Sequence, residues 1–295
     1  MIDFLKYRYI CFGFFLIILG AAVGGYWYNY QKHGSGFKYS VDFTGGTQVL
    51  VKFTKPVLAE SIHHILDKND KLKGVEVREL GDNQALIRAQ GFEGDSQGIG
   101  GRITAELQQN LTDNQVELLR VDSVGSSVGG SLRRDSVKAV LIALLLMLIY
   151  VAIRFKFLFA IGTVIALFHD LLFILAFFLI THREISMDVI GAILMVLGYS
   201  MNDTIVIFSR IRENLKKMTG SSMAVVINTS INQTLRRTTL TSSATALVVC
   251  SLMIFGGEML RGLSIALLLG IIIGTYSSIF IASPVMLLFY KNKKA

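Results

Sequence analysis

Cysteine is nearly absent from this chain, and the little there is lies outside its polar part. The two cysteines, Cys11 and Cys250, fall in apolar segments, and residues 29–134 contain none. That middle segment therefore cannot be held together by a disulfide bond. The sequence also lacks any Cys-x-x-Cys pair or His/Cys cluster at metal-ligand spacing, so it predicts neither a metal site nor a cofactor.

Charged residues are also scarce. Only 17% of the 295 residues are charged, 52% are hydrophobic, and the mean hydropathy is +0.55, which is too apolar for an ordinary soluble domain. Six apolar segments are each long enough to cross a bilayer, and they cover residues 10–27, 136–153, 157–180, 186–208, 239–256 and 263–289. The first follows Lys6 and Arg8 as a signal peptide would, but the aromatic residues after it favour an uncleaved anchor.

The charges are distributed unevenly. Residues 29–134 hold 13 basic and 13 acidic residues, so the formal net charge of +8 belongs to the apolar remainder of the chain. There, Arg183 and Arg261 lie in loops at one end of the predicted spans. Most other basic residues lie at the opposite end, namely Lys6, Arg8, Arg154, Lys156, Arg210, Arg212, Lys216, Lys217, Arg236, Arg237, Lys291, Lys293 and Lys294. By the positive-inside rule both termini are cytoplasmic and residues 29–134 lie outside. The basic character therefore reflects topology, and no nucleic-acid binding is predicted.

The segment outside the membrane has its own folding pattern. Strands are predicted at 47–53, 75–80, 85–89 and within 115–124, with a helix over 58–67 and a second helix around Ile103, Leu107 and Leu111. The Gly45-Gly46 pair suits a tight turn before the first strand. This β-α-β-β-α-β order is that of a ferredoxin-like unit. No catalytic constellation is visible in it, so we expect a binding or mechanical role. An exposed strand edge of this unit could pair with an extended polypeptide chain. Alternatively, that edge is simply protected from pairing.

These patterns predict an α-helical polytopic membrane protein of six transmembrane helices. An α+β ferredoxin-like extracytoplasmic domain is inserted between the first and second helices. The predicted limits are 1–28 for the first helix, 29–134 for the outer domain and 135–295 for a five-helix transmembrane domain with a cytoplasmic loop at 209–238. The small residues of 123–131 predict a flexible joint. Residues 223–231, within the cytoplasmic loop, predict a short helix on the membrane surface.

Ionisable residues inside the apolar spans are the candidate functional groups. Asp203 lies about five residues inside the fourth span, where a carboxylate is costly and usually takes part in ion or proton movement. The His169-Asp170 pair lies near the middle of the third span, and histidine can pass protons near neutral pH. The alternatives are an interfacial or structurally paired Asp203, and a His169-Asp170 pair hydrogen-bonded across helices for structure alone.

Other residues are placed to support these groups. Tyr199 and Ser200 lie one turn from Asp203. Arg236 and Arg237 begin the fifth span at the same end of the bundle, so either arginine is a natural partner for that carboxylate, or both are positive-inside anchors. Two sets of small residues predict close helix contacts: Gly191 with Gly198, and Ala266 with Gly270 and Gly274.

Four motifs carry a resemblance to a known family. They are Val41–Thr47, which includes Asp42, Gly45 and Gly46; Gly198–Ser200 with Asn202, Asp203 and Thr204; Arg210–Asn214; and Thr234-Leu235 with Arg237-Thr238. Over nearly its whole length the chain resembles the SecF branch of the SecD/SecF family of protein-export membrane proteins, in the resistance-nodulation-division superfamily. Gly125-Ser126 departs from the family's usual Gly-Pro.

The resemblance implies a proton-driven subunit that promotes late preprotein translocation and is not an enzyme. The implied partners are SecD, the SecYEG channel, in many systems YajC, and the unfolded preprotein, besides membrane lipid in the bacterial cytoplasmic (inner) membrane. Asp203 and Arg237 would be proton-pathway residues, and His169 and Asp170 match a pair in the same family. Two other functions stay open: a half-size exporter of lipids or small molecules from this superfamily, and a translocon assembly factor that transports nothing.

Overall fold

The computed structural model describes residues 2–69, 72, 74–81, 83–89, 96–155 and 157–292. The chain forms two compact units: Met1–Lys38 together with Lys138–Ala295, and Tyr39–Val137. Its α-helices are α1 (Arg8–His33), α2 (Val41–Thr44), α3 (Ala59–Leu66), α4 (Ser96–Asn110), α5 (Ser126–Arg154), α6 (Phe157–Ile180), α7 (Met187–Lys217), α8 (Met223–Phe255), α9 (Gly257–Ser277) and α10 (Ser283–Asn292). Its strands are β1 (Lys38–Tyr39), β2 (Gly46–Phe53), β3 (Glu76–Leu80), β4 (Gln84–Ala89), β5 (Val116–Val124) and β6 (Glu184–Ile185).

Six stretches of helix in the described residues are long and apolar enough to cross a membrane. They are Phe4–Lys32, Ser127–Arg154, Phe157–Ile180, Met187–Lys217, Met223–Phe255 and Leu260–Tyr290. Each contains or overlaps one predicted apolar segment, so the prediction of six spans is confirmed. Of the basic residues used to predict topology, Lys156, Lys293 and Lys294 lie outside the described residues.

The smaller unit contains a four-stranded antiparallel sheet in the order β3-β4-β2-β5. Val49 in the central strand β2 lies opposite Ile87 of β4 and Val121 of β5. Helices α3 and α4 supply apolar side chains to the core of this sheet, where Ile62 and Ile103 are completely buried. The strand and helix order therefore matches the predicted β-α-β-β-α-β pattern along the chain.

The predicted flexible joint at 123–131 is wrong. Strand β5 continues to Val124, and α5 begins at Ser126, immediately after Gly125. The amides of Val128 and Gly129 both donate to the carbonyl oxygen of Gly125, so the first turn of the helix is closed at once. Small residues are compatible with a linker, but here hydrogen bonding between successive turns makes them helical.

The predicted cytoplasmic loop at 209–238 is mostly helical. α7 continues to Lys217 and α8 begins at Met223, where Ser222 caps the helix by accepting a hydrogen bond from the amide of Val225. The predicted separate helix at 223–231 is the first part of α8. The apolar periodicity there does indicate a helix, and nothing in the sequence interrupts that helix before the fifth span.

The last span is regular only in part. Between α9 and α10 the chain forms a π-helical segment over Ser278–Ala282. Pro284 follows it, and a proline has no backbone N–H and crowds the carbonyl group four residues earlier. The wider π turn accommodates this, and the Ser283 hydroxyl donates to the carbonyl oxygen of Ser278 at 3.1 Å. The carbonyl oxygen of Ala282 packs so closely on Gly162 of α6 that a methyl group there would lie 2.8 Å from it.

Candidate functional site

Helix α7 supplies the centre of the candidate site. Its N-terminus is capped by the Ser186 hydroxyl, which accepts a hydrogen bond from the amide of Val189. From there the helical period places Ser200, Asp203 and Thr204 on one buried face. The face is buried because other helices of the same unit pack against it, so the carboxylate of Asp203 points into protein.

The contact between α7 and α9 depends on small residues. A Cβ atom added to Gly270 would lie 2.1 Å from Cγ2 of Val196, and one added to Gly274 would lie 2.7 Å from Cβ of Ser200. The predicted small-residue face on the last span is therefore confirmed. Gly191 and Gly198 meet no other helix within the described residues, because no described atom lies within 4 Å of a Cβ built at either position. Spacing places two glycines on one face but does not show whether another helix lies there.

Asp203 is enclosed by hydroxyl groups from two other helices. Its side chain is buried, and Oδ2 accepts hydrogen bonds from the hydroxyls of Ser242 in α8 and Thr275 in α9, each at 3.3 Å. Those two hydroxyls lie 2.7 Å from each other. The other carboxylate oxygen, Oδ1, accepts no hydrogen bond from any described residue. The site can therefore take up one further donor at Oδ1.

Asp170 has a more complete set of partners than Asp203. Its Oδ2 accepts from the Ser200 hydroxyl at 2.6 Å and the Ser277 hydroxyl at 2.9 Å, and its Oδ1 lies 3.0 Å from Nδ1 of His169. Asp170 is completely buried and His169 almost so. Ser200, which the sequence suggested as a neighbour of Asp203, therefore bonds to the carboxylate of a different helix.

The imidazole of His169 is surrounded by rings. Its ring centroid lies 4.7 Å from that of Phe15 in α1, 6.0 Å from that of Tyr276 in α9 and 6.5 Å from that of Phe173. The polar contact with Asp170 thus sits in an apolar, aromatic surrounding, which strengthens electrostatic interactions by excluding water.

Arg237 does not reach the carboxylate it was expected to pair with. Both Arg236 and Arg237 are exposed on α8, and none of the ion pairs formed within the described residues joins either of them to Asp203. In this structure the hydroxyls of Ser242 and Thr275 occupy the positions at Oδ2.

The remaining predicted residues form hydrogen bonds elsewhere or are exposed. The Tyr199 hydroxyl donates to Oγ1 of Thr245 at 3.2 Å, and the Thr204 hydroxyl donates to the carbonyl oxygen of Ser200 in its own helix. Asn202 is exposed. Thr238, in the same motif as Arg237, is buried, and its hydroxyl has no hydrogen-bond partner among the described residues.

Three residues of the site were missed in the sequence: Ser242, Thr275 and Ser277. Each is a hydroxyl residue inside an apolar span, which is common in membrane helices, and most such hydroxyls bond to the carbonyl four residues earlier in their own helix. Their approach to Asp170 and Asp203 depends on helix packing. No sequence period distinguishes them from the structural hydroxyls around them.

The Arg210–Asn214 motif joins α7 to α8 at the end of the bundle near Lys217. The buried amide nitrogen of Asn214 donates to Oγ of Ser230 at 2.9 Å and to Oε1 of Gln233 at 2.8 Å. Nε of Arg210 donates to the same Gln233 oxygen at 2.7 Å. The motif is thus a hydrogen-bonded connection between the two helices that carry Asp203 and Ser242.

The glycine pair lies in the smaller unit. Gly45 and Gly46 both have positive φ, 76° and 116°, a conformation that L side chains rarely adopt. Asp42, just before the pair, accepts a hydrogen bond from the Ser40 hydroxyl at 2.9 Å. A Cβ atom on Gly129, in the first turns of α5, would lie 3.0 Å from the amide nitrogen of Gly45, so helix and turn approach closely. Among the residues that the structure describes, no group of three His, Cys, Asp or Glu side chains could hold a metal ion.

Comparison with known proteins places these features in one family. Residues 103–292 match the family model "Protein export membrane protein SecD/SecF, C-terminal", and residues 34–57 match the "SecD/SecF GG Motif". The chain is 39% identical over 293 residues to the protein translocase subunit SecF of Thermodesulfovibrio yellowstonii, covering 99% of this chain and 95% of that one. It is 36% identical to the SecF subunit of Vibrio alginolyticus, covering 97% and 89%.

Solved structures give the same assignment. The crystal structure of SecDF from Thermus thermophilus, a translocon-associated membrane protein, matches with a TM-score of 0.84 at 32% identity. A structure of SecDF in a super-membrane-facing form matches with a TM-score of 0.70 at 31% identity. Both matches cover 99% of this chain, which spans 39% of each solved chain. An accessory role in Sec protein translocation, as a multi-pass inner-membrane protein, follows from these relatives. The chain belongs to the SecD/SecF family of protein export membrane proteins.

Proposed function

We propose that this chain acts as a SecF-type subunit that uses the proton motive force to promote late preprotein translocation. The observation that carries the proposal is the burial of two carboxylates, Asp170 and Asp203, in hydroxyl-lined positions inside the helix bundle. An ionisable group in a transmembrane segment is costly and by default marks an ion or proton pathway. No catalytic chemistry is needed for this role, and we propose none.

In this proposal Asp203 is the group that takes up and releases the proton. Ser242 and Thr275 donate to one carboxylate oxygen and so stabilise the charged form, while the other oxygen is left for an incoming donor. His169 and Asp170 form the second part of the relay. The two parts lie on adjacent elements, because α7 carries both Asp203 and the Ser200 hydroxyl that bonds to Asp170.

Arg237 would control the proton affinity of Asp203. Its guanidinium is exposed and makes no ion pair with Asp203 within the described residues, so it is free to approach in a second conformation. Approach would stabilise the charged carboxylate, and withdrawal would favour proton uptake. A proton crossing the membrane gains about 2.3 kcal/mol per 100 mV. That energy biases a conformational change only if the two states differ in proton affinity or in access to Asp203.

Residues 29–134 would form the ferredoxin-like domain outside the membrane. The strand order and antiparallel pairing of the smaller unit support the fold, and the clustering of basic residues at the opposite end of the spans supports the orientation with both termini in the cytoplasm. Its role would be to contact unfolded preprotein. The expected partners are SecD, the SecYEG channel, YajC and membrane lipid; the solved SecDF chains, of which this chain spans 39%, support the pairing with SecD.

The proposal is tested with the full chain reconstituted with its SecD partner and the SecYEG channel in liposomes. Asp203→Asn and Asp170→Asn keep side-chain size and remove titration, so each should abolish proton-dependent preprotein translocation without loss of assembly. Asp188→Asn is the matched control, because Asp188 lies in the first turn of α7, away from both carboxylates. Full translocation activity in Asp203→Asn at normal protein levels would make Asp203 structural and refute the relay.

A further inference from the structure

The first residues of the chain are fastened to α8 through their backbone. The amide of Ile2 donates to Oδ1 of Asn232 at 3.0 Å, and Nδ2 of Asn232 donates to the carbonyl oxygen of Ile2 at 2.8 Å. The amide of Phe4 donates to Oδ1 of Asn228 at 2.9 Å. We call residues 2–5 the N-terminal strap.

The arrangement is specific to the two asparagines. Asn228 and Asn232 are one turn apart on α8 and so share a face. They bond to alternate residues of the strap, as an adjacent β-strand would. The side chain of Ile2 is 54% exposed, so this residue is held by its backbone rather than by packing.

The other side of the strap packs into the bundle. Phe4 and Leu5 are buried in the same apolar cluster as Val226 and Ile231 of α8. The Phe4 ring lies edge-on to that of Phe280, in the π-helical segment, with centroids 5.8 Å apart. The strap therefore lies between the start of α8 and the irregular turn of the last span.

From Phe280 a row of rings leads to the candidate relay. The Phe280 ring lies 5.2 Å from Tyr276, the Tyr276 ring lies 6.0 Å from His169, and Nδ1 of His169 lies 3.0 Å from Asp170. A row of packed rings transmits displacement, because such interiors are close-packed and have little free space. Movement of Phe4 would thus change the surroundings of His169.

We infer that the N-terminal strap sets the geometry of the His169–Asp170 pair, with Asn228 and Asn232 as the positioning residues that hold the strap in place. The inference rests on the proposed function, since it assigns the strap to a pair expected to handle protons. Docking of the strap favours the arrangement in which His169 contacts Asp170. Release would let the π-helical segment and the ring row relax away from that arrangement.

The first experiment measures docking. Leu5 is buried, so a cysteine placed there by Leu5→Cys in a Cys11→Ala/Cys250→Ala background should react slowly with a membrane-impermeant maleimide. The double variant Asn228→Leu/Asn232→Leu loses the three strap hydrogen bonds, so labelling should become at least about tenfold faster. Val225→Leu, an exposed position on the same helix, is the matched control and should change nothing.

The two asparagines differ in whether they donate to the strap, so single substitutions give a finer test. Asn228 only accepts from the strap, so Asn228→Asp keeps the required oxygen and should label as slowly as the parent. Asn232 both accepts and donates, so Asn232→Asp loses the bond to the Ile2 carbonyl and should label faster. These single variants replace the double variant if it fails to assemble with SecD.

The second experiment measures proton handling by the full chain with SecD in proteoliposomes. The pH midpoint of proton uptake should shift in Asn228→Leu/Asn232→Leu and in Asn232→Asp, but not in Asn228→Asp or Val225→Leu. The groups around His169 that bear on this titration are Asp170, the Tyr276 hydroxyl and the thiol of Cys11 in α1, which bonds to Tyr276, with Asp203 and Arg237 on the neighbouring helices α7 and α8.

Either of two results overturns the inference: unchanged labelling in the double variant, or faster labelling with an unchanged pH midpoint. A different result identifies failure of the proposed function. If Asp170→Asn and Asp203→Asn leave proton uptake intact, there is no relay in this chain for the strap to position. The inference is supported if Asn228→Leu/Asn232→Leu labels faster and shifts the pH midpoint, while Asn228→Asp keeps the labelling rate and the midpoint of the parent.

Discussion

The contact between α7 and α9 gives a quantitative prediction. A methyl group at Gly270 would lie 2.1 Å from one carbon of Val196 and 2.8 Å from its Cβ. Carbon atoms in favourable contact lie about 3.5–4.0 Å apart. The change Gly270→Ala therefore forces α9 away from α7 or forces Val196 out of its side-chain conformation.

The size of the effect follows from two opposing terms. Adding a methyl group to a well-packed interior costs about 1–3 kcal/mol. Alanine is favoured over glycine in a helix by about 1 kcal/mol. We therefore expect Gly270→Ala to lower the free energy of unfolding by up to about 2 kcal/mol.

The matched controls come from α7, the helix that carries Val196. No described atom lies within 4 Å of a Cβ built on Gly191 or Gly198, so Gly191→Ala and Gly198→Ala should be neutral or stabilising. Val196→Ala frees the space that the new methyl group needs. The double variant Gly270→Ala/Val196→Ala should therefore be more stable than the sum of the two single changes predicts.

Thermal unfolding of the purified full chain in detergent measures all of these variants. The reasoning fails if Gly198→Ala destabilises the protein as much as Gly270→Ala does, or if Val196→Ala and Gly270→Ala are strictly additive. Gly274→Ala adds a functional readout, because its methyl group would displace Ser200, whose hydroxyl lies 2.6 Å from Asp170. That variant should lose proton-dependent translocation as well as stability, whereas Gly270→Ala should affect stability more.

Three further changes test single contacts. Thr238→Val replaces a buried hydroxyl that has no partner within the described residues, so thermal unfolding should show equal stability or a gain of about 1 kcal/mol. Ser126→Pro places proline at the first position of α5, where its fixed φ suits the helix, and should be neutral or raise stability by about 0.4–1 kcal/mol in the same assay. Asn214→Asp removes the donor that bonds to Ser230 and Gln233 and should cost about 1–3 kcal/mol in unfolding; Asn214→Leu, which leaves no charge, should cost less.

Much of the architecture is determined locally. A run of about twenty apolar residues can satisfy its backbone in a membrane only as a helix, so the six spans follow from composition and length. The strands of the smaller unit follow from the alternation of apolar and polar residues. The positive φ of Gly45 and Gly46 follows from the residue type, because glycine has no side chain. The helical joint at Ser126 and the continuous α8 were missed, because small or polar residues between two elements are compatible with either a loop or a helix.

Which residues meet was decided by tertiary structure. The sequence alone shows that Asp203, Asp170 and His169 lie inside apolar spans, where burying a charge is costly. This inference does not require knowing which residues contact them. The sequence could not assign Ser200 to Asp170, find Ser242 and Thr275 beside Asp203, or distinguish the closely packed Gly270 from the open Gly198. The physical reason is that the helical period gives the face on which a residue lies, whereas the helix opposite that face, and its depth and register, depend on the packing of the whole bundle.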